Sequence, residues 1–534
     1  PAGAAAARCG GADTPLAALA LAETPPAGEI EVEAVVSARF LGQARLNGFY
    51  VAEPGPGGEP VGLFVYAPDI GEDMAGRLEP GSRVRMRGRL GRYQGQRQLE
   101  RISGISVCGT VTAPEPVGLE LPADRARLHR LEGLPVRIEQ TLTVTDNYDL
   151  GRYGSVALVP GPRLFARPAQ GTRPFRLVLD DGSHEVRPDP VPYLDESGTR
   201  RLGSRLEQLT GVLAGTFGAY RVHPLRAPRW VEANPRRVPQ APEDGAIRLA
   251  LFNVRNYMAA PGGRGARSGA EQRLQRAKLV AAIEGVDADV LALLEVGNTA
   301  RAVTSLRDAV NARLATGRGY RTVLPPGPVG SDAIRAVLLY RPAALSLAGE
   351  GGVLKDRRFE RPPVWARFHG EGAPAFTVIS AHLKSKGGCP DGAEAADSLA
   401  GCWSERRAMQ GRGLRELTDA LPGDRELLLA DLNAYDWEAP VALLRRAGLR
   451  DLVAAELPAS QRYTYVYRGR AGTLDYALAG RGLEGRVAGV RIWHLNADEP
   501  RFLGYRSRRD QAARRAGEYR SSDHDVIIVD LTER

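Results

Sequence analysis

The sequence predicts a multidomain chain with an all-β N-terminal part and an α/β C-terminal part. Its 534 residues exceed what one ordinary hydrophobic core holds, so more than one domain is expected. In the first half, short strands alternate with Gly/Pro turns. In the second half, apolar runs alternate with helical patterns, and 43% hydrophobic residues suffice to fold the whole chain.

The first predicted domain covers residues 28–113. Segments such as EIEVEAVVSARF, NGFYVAE and SRVRMRGRLGRY have the alternating pattern of strands in a small closed β-barrel. This part resembles an OB-fold, and such barrels commonly bind single strands with aromatic and basic groups. Here the candidate residues are Phe49, Tyr50, Phe64, Tyr66, Arg85, Arg87 and Tyr93. The alternative is that the aromatic rings fill the core of the barrel.

Residues 114–238 form a second predicted β-rich region, whose last part favours either a second OB-like unit or another small β structure. Within it, TVTDNYDLGRYG is similar to a segment found between the barrel and the catalytic domain of secreted bacterial nucleases. The Pro- and Arg-rich run ANPRRVPQAPEDGA then predicts a linker that ends near Gly245.

From residue 246 to 531, strands alternate with helices, which predicts an α/β layered domain. The segment EQRLQRAKLVAAIEGV carries Leu274, Ala277 and Ala281 at helical spacing. We expect Gly285 to end this helix, since glycine often follows the last helical turn.

Several apolar runs of this domain stop at a side chain that can bind a metal or a phosphate. Buried strands of α/β sheets appear as nearly continuous apolar runs, so the polar residue emerges at the rim of the sheet. The last run, VIIVDL, is instead preceded by such residues, in SSDHD. These rim positions are Asn253, Glu295, His382, Asp431, Asn433, Asp523 and His524. Their convergence would build one acidic site with two histidines.

The formal charge of +9 suits a protein that meets a polyanion, although a solvated arginine-rich surface would give the same balance. No apolar stretch approaches the ~20 residues that span a bilayer. Pro1 is followed by an alanine-rich stretch without a basic segment and apolar core, so we expect a mature chain whose signal peptide has been removed.

The four cysteines contain no C-x-x-C grouping, which argues against a zinc site. We expect Cys389 to pair with Cys402 across a loop, and Cys9 with Cys108. Such pairing favours an oxidising compartment, outside the cell or in the periplasm, whereas four buried free thiols would suit a cytosolic protein.

The motifs of the last domain resemble the endonuclease/exonuclease/phosphatase superfamily, whose fold is a four-layered α/β sandwich shared with pancreatic-type deoxyribonuclease. The resemblance rests on LFNVRN, LALLEVGN, SDAIRAVLLYRP, SAHLKSKGG, LADLNAYDW, TLDYALAG and SSDHD, in that order. One departure is Val526 after SSDHD, where many members have a proline.

The resemblance implies a role for each matching residue. Glu295 and Asp523 become the metal ligands, and Asn253, Arg335 and Lys384 become contacts to the substrate phosphate. The implied catalytic residues are His382, Asp431, Asn433, Asp475 and His524. Either Asp431 or the pair of Asp475 and His524 activates the attacking water. Taken singly, each of these residues more often has a structural role, so the prediction depends on their order and context.

A divalent cation is expected at this site. Mg²⁺ prefers oxygen ligands and needs one or two carboxylates plus the substrate phosphate, with Mn²⁺ as its substitute. A structural Ca²⁺ is known in the family, but the sequence contains no calcium-loop motif.

The predicted function is a secreted, metal-dependent endonuclease that cuts DNA, and RNA as a further substrate, with low sequence specificity. We expect a monomer without a transmembrane segment. One alternative is a phosphodiesterase or phosphatase of the same superfamily acting on a phospholipid or phosphoinositide. The other is an inactive nucleic-acid-binding protein, which would have lost catalytic residues; every expected one is present.

Overall fold

A computed structural model describes residues 9–10, 12, 14–21, 26, 28–168, 174–370, 374–390, 399–506 and 516–532. The alanine-rich start of the chain lies outside these residues. The chain divides into two compact units, of which the first comprises residues 1–163 and 173–234 and the second residues 164–172 and 235–534. The predicted boundaries at 113 and 238 stay predictions, but the short segment 164–172 belongs to the second unit, which the sequence pattern did not indicate.

The first unit contains a closed five-stranded barrel with the strand order β1-β2-β3-β5-β4. Its strands are β1 Ile30–Phe40, β2 Gly48–Pro54, β3 Pro60–Tyr66, β4 Ser82–Tyr93 and β5 Gln96–Thr110. Helices α1 Leu16–Ala20 and α2 Glu72–Arg77 accompany it, with a 3₁₀ turn at Pro56–Gly58. A closed barrel of this size fits the OB-like expectation.

Most of the aromatic residues that were candidates for nucleic-acid contact in the barrel are buried: Phe49 packs inside the barrel, and Tyr50 and Phe64 pack on its outer side. Phe49 and Tyr50 are fully buried and Phe64 is 5% exposed, whereas Tyr93 is 48% exposed. Arg85 contacts Glu31 at 2.9 Å, and Arg87 contacts the same carboxylate at 3.4 Å. For the three buried rings, core packing is therefore the observed role.

The second β-rich region forms one nine-stranded sheet, which is larger than the five-stranded barrel that an OB-like unit requires. Its strand order is β14-β11-β8-β9-β10-β13-β12-β7-β6. The strands are β6 Val117–Gly118, β7 Pro135–Ile138, β8 Leu142–Asp146, β9 Val156–Pro160, β10 Leu177–Leu179, β11 Arg205–Glu207, β12 Leu209–Thr216, β13 Ala219–Pro224 and β14 Arg229–Val231. The short helices are α3 Arg125–Arg130 and α4 Leu150–Tyr153.

The barrel and the nine-stranded sheet share a core. Val212 of the sheet packs in one cluster with Phe40, Tyr50 and Phe64 of the barrel. Gly62 lies against the backbone of Gly133, where an added Cβ would come within 2.4 Å of the Gly133 carbonyl. The two regions therefore pack as one unit.

The second unit contains two large sheets. The six-stranded sheet has the order β17-β18-β16-β15-β29-β28. Its strands are β15 Ile247–Tyr257, β16 Val290–Gly297, β17 Arg321–Thr322, β18 Ile334–Tyr340, β28 Val487–Trp493 and β29 Val526–Leu531. The seven-stranded sheet runs β19-β21-β22-β23-β27-β24, with β20 paired to β21. Its strands are β19 Ser346–Leu347, β20 Gly352–Val353, β21 Val364–His369, β22 Phe376–His382, β23 Glu426–Asp431, β24 Arg450–Asp451 and β27 Asp475–Ala479.

The remaining elements of this unit are a hairpin and helices. The hairpin consists of β25 Tyr465–Tyr467 and β26 Arg470–Gly472. The helices are α5 Gly269–Val286, α6 Ala300–Asn311, α7 Ser404–Ala420, α8 Ala439–Arg446 and α9 Leu452–Glu456. Short 3₁₀ turns occur at Ala459–Gln461, Arg481–Arg486 and Arg501–Leu503.

Three hydrophobic clusters hold the second unit together. The largest mixes residues of both sheets, for example Leu249 of β15 and Leu427 of β23. A second cluster joins the six-stranded sheet to α5 and α6, and a third joins the seven-stranded sheet to α7 and α8. Each sheet therefore has one face toward the other sheet's residues and one face toward helices.

The end of α5 differs from the expectation. The helix continues through Gly285 to Val286, and Asp287 takes the left-handed conformation that was expected of the glycine, with φ 52°. Gly285 is instead required by packing, since an added Cβ would lie 2.8 Å from the Trp493 ring. A close approach of this kind leaves no local signal in the sequence.

Both expected disulfides are confirmed. Cys9 is bonded to Cys108 in the first unit and Cys389 to Cys402 in the second. Among the described residues, no helix combines the length and the apolar composition needed to cross a membrane.

Candidate active site

The carboxyl ends of four strands supply the core of the site. Strands β15 and β16 run parallel in one sheet, and β22 and β23 run parallel in the other. Parallel strands end at the same edge, so their last polar residues become neighbours. In the second sheet, His382 pairs with Asp431 and Asp431 with Asp475, which places the three side by side across β22, β23 and β27.

A bulge in each of two neighbouring strands positions Glu295. The pairing of β15 with β16 shifts after Asn253, and that of β16 with β18 shifts between Leu293 and Val296. Bulges next to active sites commonly redirect a side chain out of the regular alternation. Glu295 itself has a φ of 62°, in the left-handed region that non-glycine residues rarely adopt.

Left-handed backbone recurs around the site, at Arg255, Asn256, Asn433 and Arg520. Each such residue costs on the order of 1–3 kcal/mol, and clusters of them occur where function requires the geometry. In this left-handed conformation, Asn256 donates from Nδ2 to Oε2 of Glu295 at 2.6 Å. The surrounding structure thus pays a conformational cost to orient this carboxylate.

Asn253 connects the two sheets. Its Nδ2 donates to Oε1 of Glu295 at 3.2 Å and to Oδ2 of Asp431 at 3.1 Å. Its Oδ1 accepts from the backbone N–H of Arg255 at 3.0 Å. The Asn253 side chain is fully buried, so these contacts fix the carboxylates of both sheets relative to each other.

His524 and Asp475 form a buried pair. Nδ1 of His524 lies 2.8 Å from Oδ2 of Asp475, and 3.9 Å from Oδ2 of Asp431. Burial alone would lower the pKa of His524, but the carboxylates of Asp475 and Asp431 raise this pKa well above its usual value. His524 therefore holds its proton at neutral pH and donates it in the bond to Asp475.

The pKa of His382 shifts in the opposite direction from that of His524. Nε2 of His382 lies 3.5 Å from Oδ2 of Asp431. Burial lowers its pKa well below the usual value, helped by the positive charges of Arg361 and His524. The imidazole is neutral, so this contact is not an ion pair. Burial, and next the charge of Asp475, raises the pKa of Asp431 to about 7.

Glu295 and Asp523 interact as like charges. Burial raises the pKa of Glu295, and the charge of Asp523 adds to the effect. Burial opposes ionisation of Asp523 too, but the positive charges of Arg255, His524 and Arg520 outweigh it and lower its pKa. Nε of Arg255 lies 3.4 Å from Oδ2 of Asp523.

The donor set fits a divalent cation. Glu295, Asp431, Asp475 and Asp523 bring four carboxyl groups together, of which Asp431 and Asp475 are buried and Glu295 and Asp523 partly exposed. Oδ1 of Asp475 is buried without a hydrogen-bond partner. Carboxylate oxygens are the ligands that Mg²⁺ and Mn²⁺ prefer. Glu295 and Asp523 are the residues that would hold the ion.

A second geometric grouping exists, because ligand atoms of Asp431, Asp475 and His524 lie within 4.8 Å of one another. We do not assign the ion to this trio. Nδ1 of His524 is committed to Asp475, and a protonated imidazole offers no lone pair to a metal.

Three further residues predicted for the site, Asn433, Lys384 and Arg335, differ from one another in their contacts. Asn433 follows Asp431 closely: its backbone N–H donates to Oδ1 of Asp431 at 2.9 Å and its Nδ2 to the carbonyl of Leu383 at 3.2 Å. Lys384 lies 5.2 Å from the centre of the Trp403 ring. Arg335 is buried on β18 and donates to the carbonyls of Ala336 and Gly327, and burial lowers its pKa to about 10.

The arginines that surround Asp523 were not predicted from the sequence. Arg255 lies two residues after Asn253, inside the motif LFNVRN. Its position near the site could therefore be predicted from the sequence, but its contact with Asp523 could not. Arg520 lies three residues before Asp523, and burial lowers its pKa to about 10. The positive charges of Arg255 and Arg520 both act on Asp523. Among the described residues, no such interaction is seen for Arg335.

A polar network behind the SSDHD segment was also missed. Asn496 donates from Nδ2 to the carbonyl of His524 at 2.6 Å, and its Oδ1 accepts from the N–H of Ser522 at 3.0 Å. Asp525 accepts from the N–H of Asn496 at 2.8 Å and lies 2.9 Å from Nδ1 of His494. Asn496 is fully buried, so this amide holds the loop that carries Asp523 and His524.

The fold and the site together define a class: a hydrolase-type centre of buried carboxylates, amides and histidines at the edges of two packed sheets. The profile of the Endonuclease/Exonuclease/phosphatase family matches residues 250–524, more than half of the chain. The protein belongs to this family. No curated protein sequence matches it.

Solved structures similar to this chain cover about half of it. A zebrafish (D. rerio) TDP2 humanised by 14 mutations is 14% identical, covering 54% of this chain and 100% of its own, with a TM-score of 0.37. The human Nocturnin catalytic domain with bound sulfate is 14% identical, covering 55% and 97%, with a TM-score of 0.35. A Bacteroides thetaiotaomicron mannosyl-6-phosphatase is 14% identical, covering 54% and 99%, with a TM-score of 0.34.

Proposed function

We propose that this protein is a secreted, metal-dependent endonuclease that hydrolyses phosphodiester bonds of DNA, and also of RNA, with low sequence specificity. The observation that carries the proposal is the buried constellation of Asn253, Asp431, Asp475 and His524, joined across two sheets by hydrogen bonds. Its carboxylates and amides suit hydrolysis of a phosphate ester. Two disulfides and the net charge of +9 are compatible with an extracellular protein that meets a polyanion.

The protonation states of His524 and Asp431 indicate which residue is the hydrogen-bond donor and which is the base. His524 is protonated, so it cannot accept a proton from water, but it can donate a hydrogen bond to a phosphoryl oxygen. Asp431, with a pKa of about 7, is close to the ideal for a general base at neutral pH. We therefore propose Asp431 as the base that takes the proton of the attacking water.

The remaining residues position the phosphate and the carboxylates. Asn253 donates from its side-chain amide to Glu295 and Asp431, and the backbone N–H of Asn433 donates to Asp431, so both residues orient the carboxylates next to the phosphate. Neutral His382 contributes a ring nitrogen at 3.5 Å from Asp431. Asp475 holds the ring of His524 in orientation through their 2.8 Å contact. When bound by Glu295 and Asp523, Mg²⁺ would stabilise negative charge on the phosphate and on the departing oxygen.

We propose the finer architecture of both units as well. The three hydrophobic clusters of the second unit support a four-layered α/β sandwich, with helices outside two packed sheets. The closed barrel of the first unit supports an OB-like fold. We propose that the protein acts as a monomer.

The test is incubation of the purified protein with supercoiled plasmid and Mg²⁺, with EDTA as a control. We expect nicking that requires the metal. The variants His524→Ala and Asp431→Asn should lower the rate by roughly 10²- to 10⁴-fold, the range of a lost acid–base group. Exposed His369→Ala and Asp436→Asn are the matched controls and should retain wild-type rates.

Intact plasmid together with hydrolysis of a phosphatidylinositol substrate would replace the nuclease assignment with the lipid alternative. An unchanged rate for His524→Ala would contradict the assigned site itself.

A further inference from the structure

A short hairpin lies beside the active site. Strands β25 and β26 pair Tyr465 with Gly472 and Tyr467 with Arg470, and Arg468 and Gly469 form the turn. Both turn residues have positive φ, 48° and 70°, as in the type I′ turns that close tight hairpins. The turn therefore fixes where the hairpin tip points.

The base of the hairpin is bonded to the catalytic strands. The Tyr465 ring lies 4.8 Å from the His524 ring, measured between centroids, with 38° between the planes. Oγ1 of the preceding Thr464 accepts from the N–H of Asp475 at 3.3 Å, and the Thr464 carbonyl accepts from the N–H of Asp525 at 2.8 Å. The hairpin thus begins at the His524–Asp475 pair.

A third segment holds the hairpin from its other side. The N–H of Ala471 donates to the carbonyl of Leu164 at 3.0 Å, and the N–H of Ala166 donates to the carbonyl of Ala471 at 2.7 Å. At Gly472, an added Cβ would lie 2.4 Å from the Tyr435 ring and 3.0 Å from Cβ of Ala166. These contacts make the hairpin a rigid extension of the site.

The tip combines an aromatic ring with positive charge. Tyr467 lies two residues beyond Tyr465 on the same strand face, about 7 Å from it along the strand. Its ring is 38% exposed, and the Arg468 guanidinium lies 5.3 Å from the ring centroid. Arg470 pairs with Tyr467 across the hairpin.

Tyr435 packs beneath the hairpin and is only 3% exposed. Its ring stacks on Trp437 at 4.8 Å with 16° between the planes, and Nζ of Lys386 lies 4.8 Å from its centroid. The residues available to a ligand are therefore Tyr467 and Arg468 at the tip. An exposed aromatic ring beside a cation binds single-stranded nucleic acid, because a base can stack on the ring while the charge meets a backbone phosphate. A paired base inside a duplex already stacks on its neighbours and is not available to such a ring.

We propose that Tyr467, with Arg468, is a stacking site for an unpaired nucleobase next to the phosphate held at His524. The inference rests on the proposed nuclease function and narrows it: the preferred substrate is single-stranded nucleic acid, or a strand that is locally unpaired at the cleavage point.

The test compares Tyr467→Ala with the wild-type protein on a labelled single-stranded oligonucleotide, on its duplex and on bis(4-nitrophenyl) phosphate, which lacks bases. Loss of one base stack should raise KM for the single strand roughly 5- to 100-fold. The ratio of kcat/KM on the single strand to that on the small diester should fall by the same factor. Tyr467→Phe and Tyr467→Trp, which keep a stacking ring, should restore most of the ratio.

Tyr148→Ala is the matched control, since Tyr148 is a 59% exposed tyrosine of the first unit. Binding of the oligonucleotide in EDTA, followed by fluorescence anisotropy, should weaken for Tyr467→Ala and stay unchanged for Tyr148→Ala.

An unchanged ratio for Tyr467→Ala, or an equal loss on duplex and single strand, would overturn the stacking site while leaving the nuclease intact. A wild-type protein that hydrolyses the small diester but binds no oligonucleotide would instead remove the nuclease function, and with it this inference.

Discussion

At the scale of single residues, the site holds two histidines in opposite protonation states within one buried region. His382 is neutral because burial and nearby cations disfavour its charge, whereas Asp475 and Asp431 keep His524 protonated against the same burial. Pairs of titratable groups whose environments separate their pKa values identify acid and base roles. Both histidines were predictable from the sequence, but their difference was not, because it depends on which carboxylates the fold places beside each ring.

The raised pKa of Asp431 predicts the acid side of the pH–rate profile. As a base, Asp431 must be ionised, so kcat/KM should rise with pH and level off above about pH 7. The measurement is kcat/KM on the small diester from pH 5 to 9. A midpoint near pH 4, the usual range of an aspartate, would refute the assignment.

Metal binding also responds to pH, and this must be separated from the titration of the base. Repeating the profile at two saturating Mg²⁺ concentrations provides the control. A midpoint that moves with the metal concentration reports protonation of the metal ligands, whereas a fixed midpoint reports the base.

At the scale of elements, the loop between β22 and α7 carries basic residues next to the site and is closed by a disulfide. Cys402 donates its N–H to the carbonyl of Lys386 at 3.0 Å, and Nε1 of Trp403 donates to the carbonyl of Gly388 at 3.1 Å. Lys386 in turn contacts Glu438. Lys384 and Lys386 lie just before the segment that the disulfide closes, and they contact Trp403 and Tyr435.

Replacing both Cys389 and Cys402 by serine should loosen this loop. In the chain-entropy account, a closed loop of this size contributes about 3 kcal/mol to stability. We expect a lower Tm and a higher KM for polynucleotides, measured by calorimetry and by oligonucleotide cleavage. The Cys9→Ser/Cys108→Ser double variant is the control, because that disulfide lies in the first unit. Equal KM values for the two double variants would argue against a role of the loop in substrate binding.

The elements that the sequence predicted well are those with local signals. Apolar runs ending in polar residues located β15, β16, β22 and β23, and cysteine spacing located both disulfides. The predicted end of α5 was wrong, because Gly285 is required for packing against the ring of Trp493, which lies more than 200 residues away in sequence. The role of Arg335 stays a prediction from its place in a motif; in the structure it donates to the carbonyls of Ala336 and Gly327, both near it in sequence.

At the scale of the whole molecule, the second unit is discontinuous in sequence, since residues 164–172 belong to it although they are flanked by the first unit. Leu164 and Ala166 hydrogen-bond to Ala471, and Phe165 contacts Tyr463 at 6.2 Å between ring centroids. The linker composition predicted a boundary near residue 238. The sequence could not show that residues 164–172 belong to the second unit, because this segment has no periodic pattern of its own.

A truncated chain of residues 235–534 should therefore be impaired. It keeps every predicted catalytic residue but loses the segment that supports the β25–β26 hairpin, so we expect a lower Tm and weaker single-strand cleavage than in the full chain. The control is the full chain with Phe165→Ala, which removes the ring contact alone and should show a smaller loss in the same direction. A truncated chain with the full chain's Tm and rate would contradict the prediction.

The discontinuity also has a consequence for biosynthesis. Phe165 and Ala471, which pair in the finished protein, leave the ribosome roughly 300 residues apart. At usual elongation rates of about 5–20 residues per second, this is a delay of roughly 15 to 60 s. During that interval the nascent chain exposes a segment whose pairing partner has not yet been made, and the candidate active site cannot be assembled before His524 has been added.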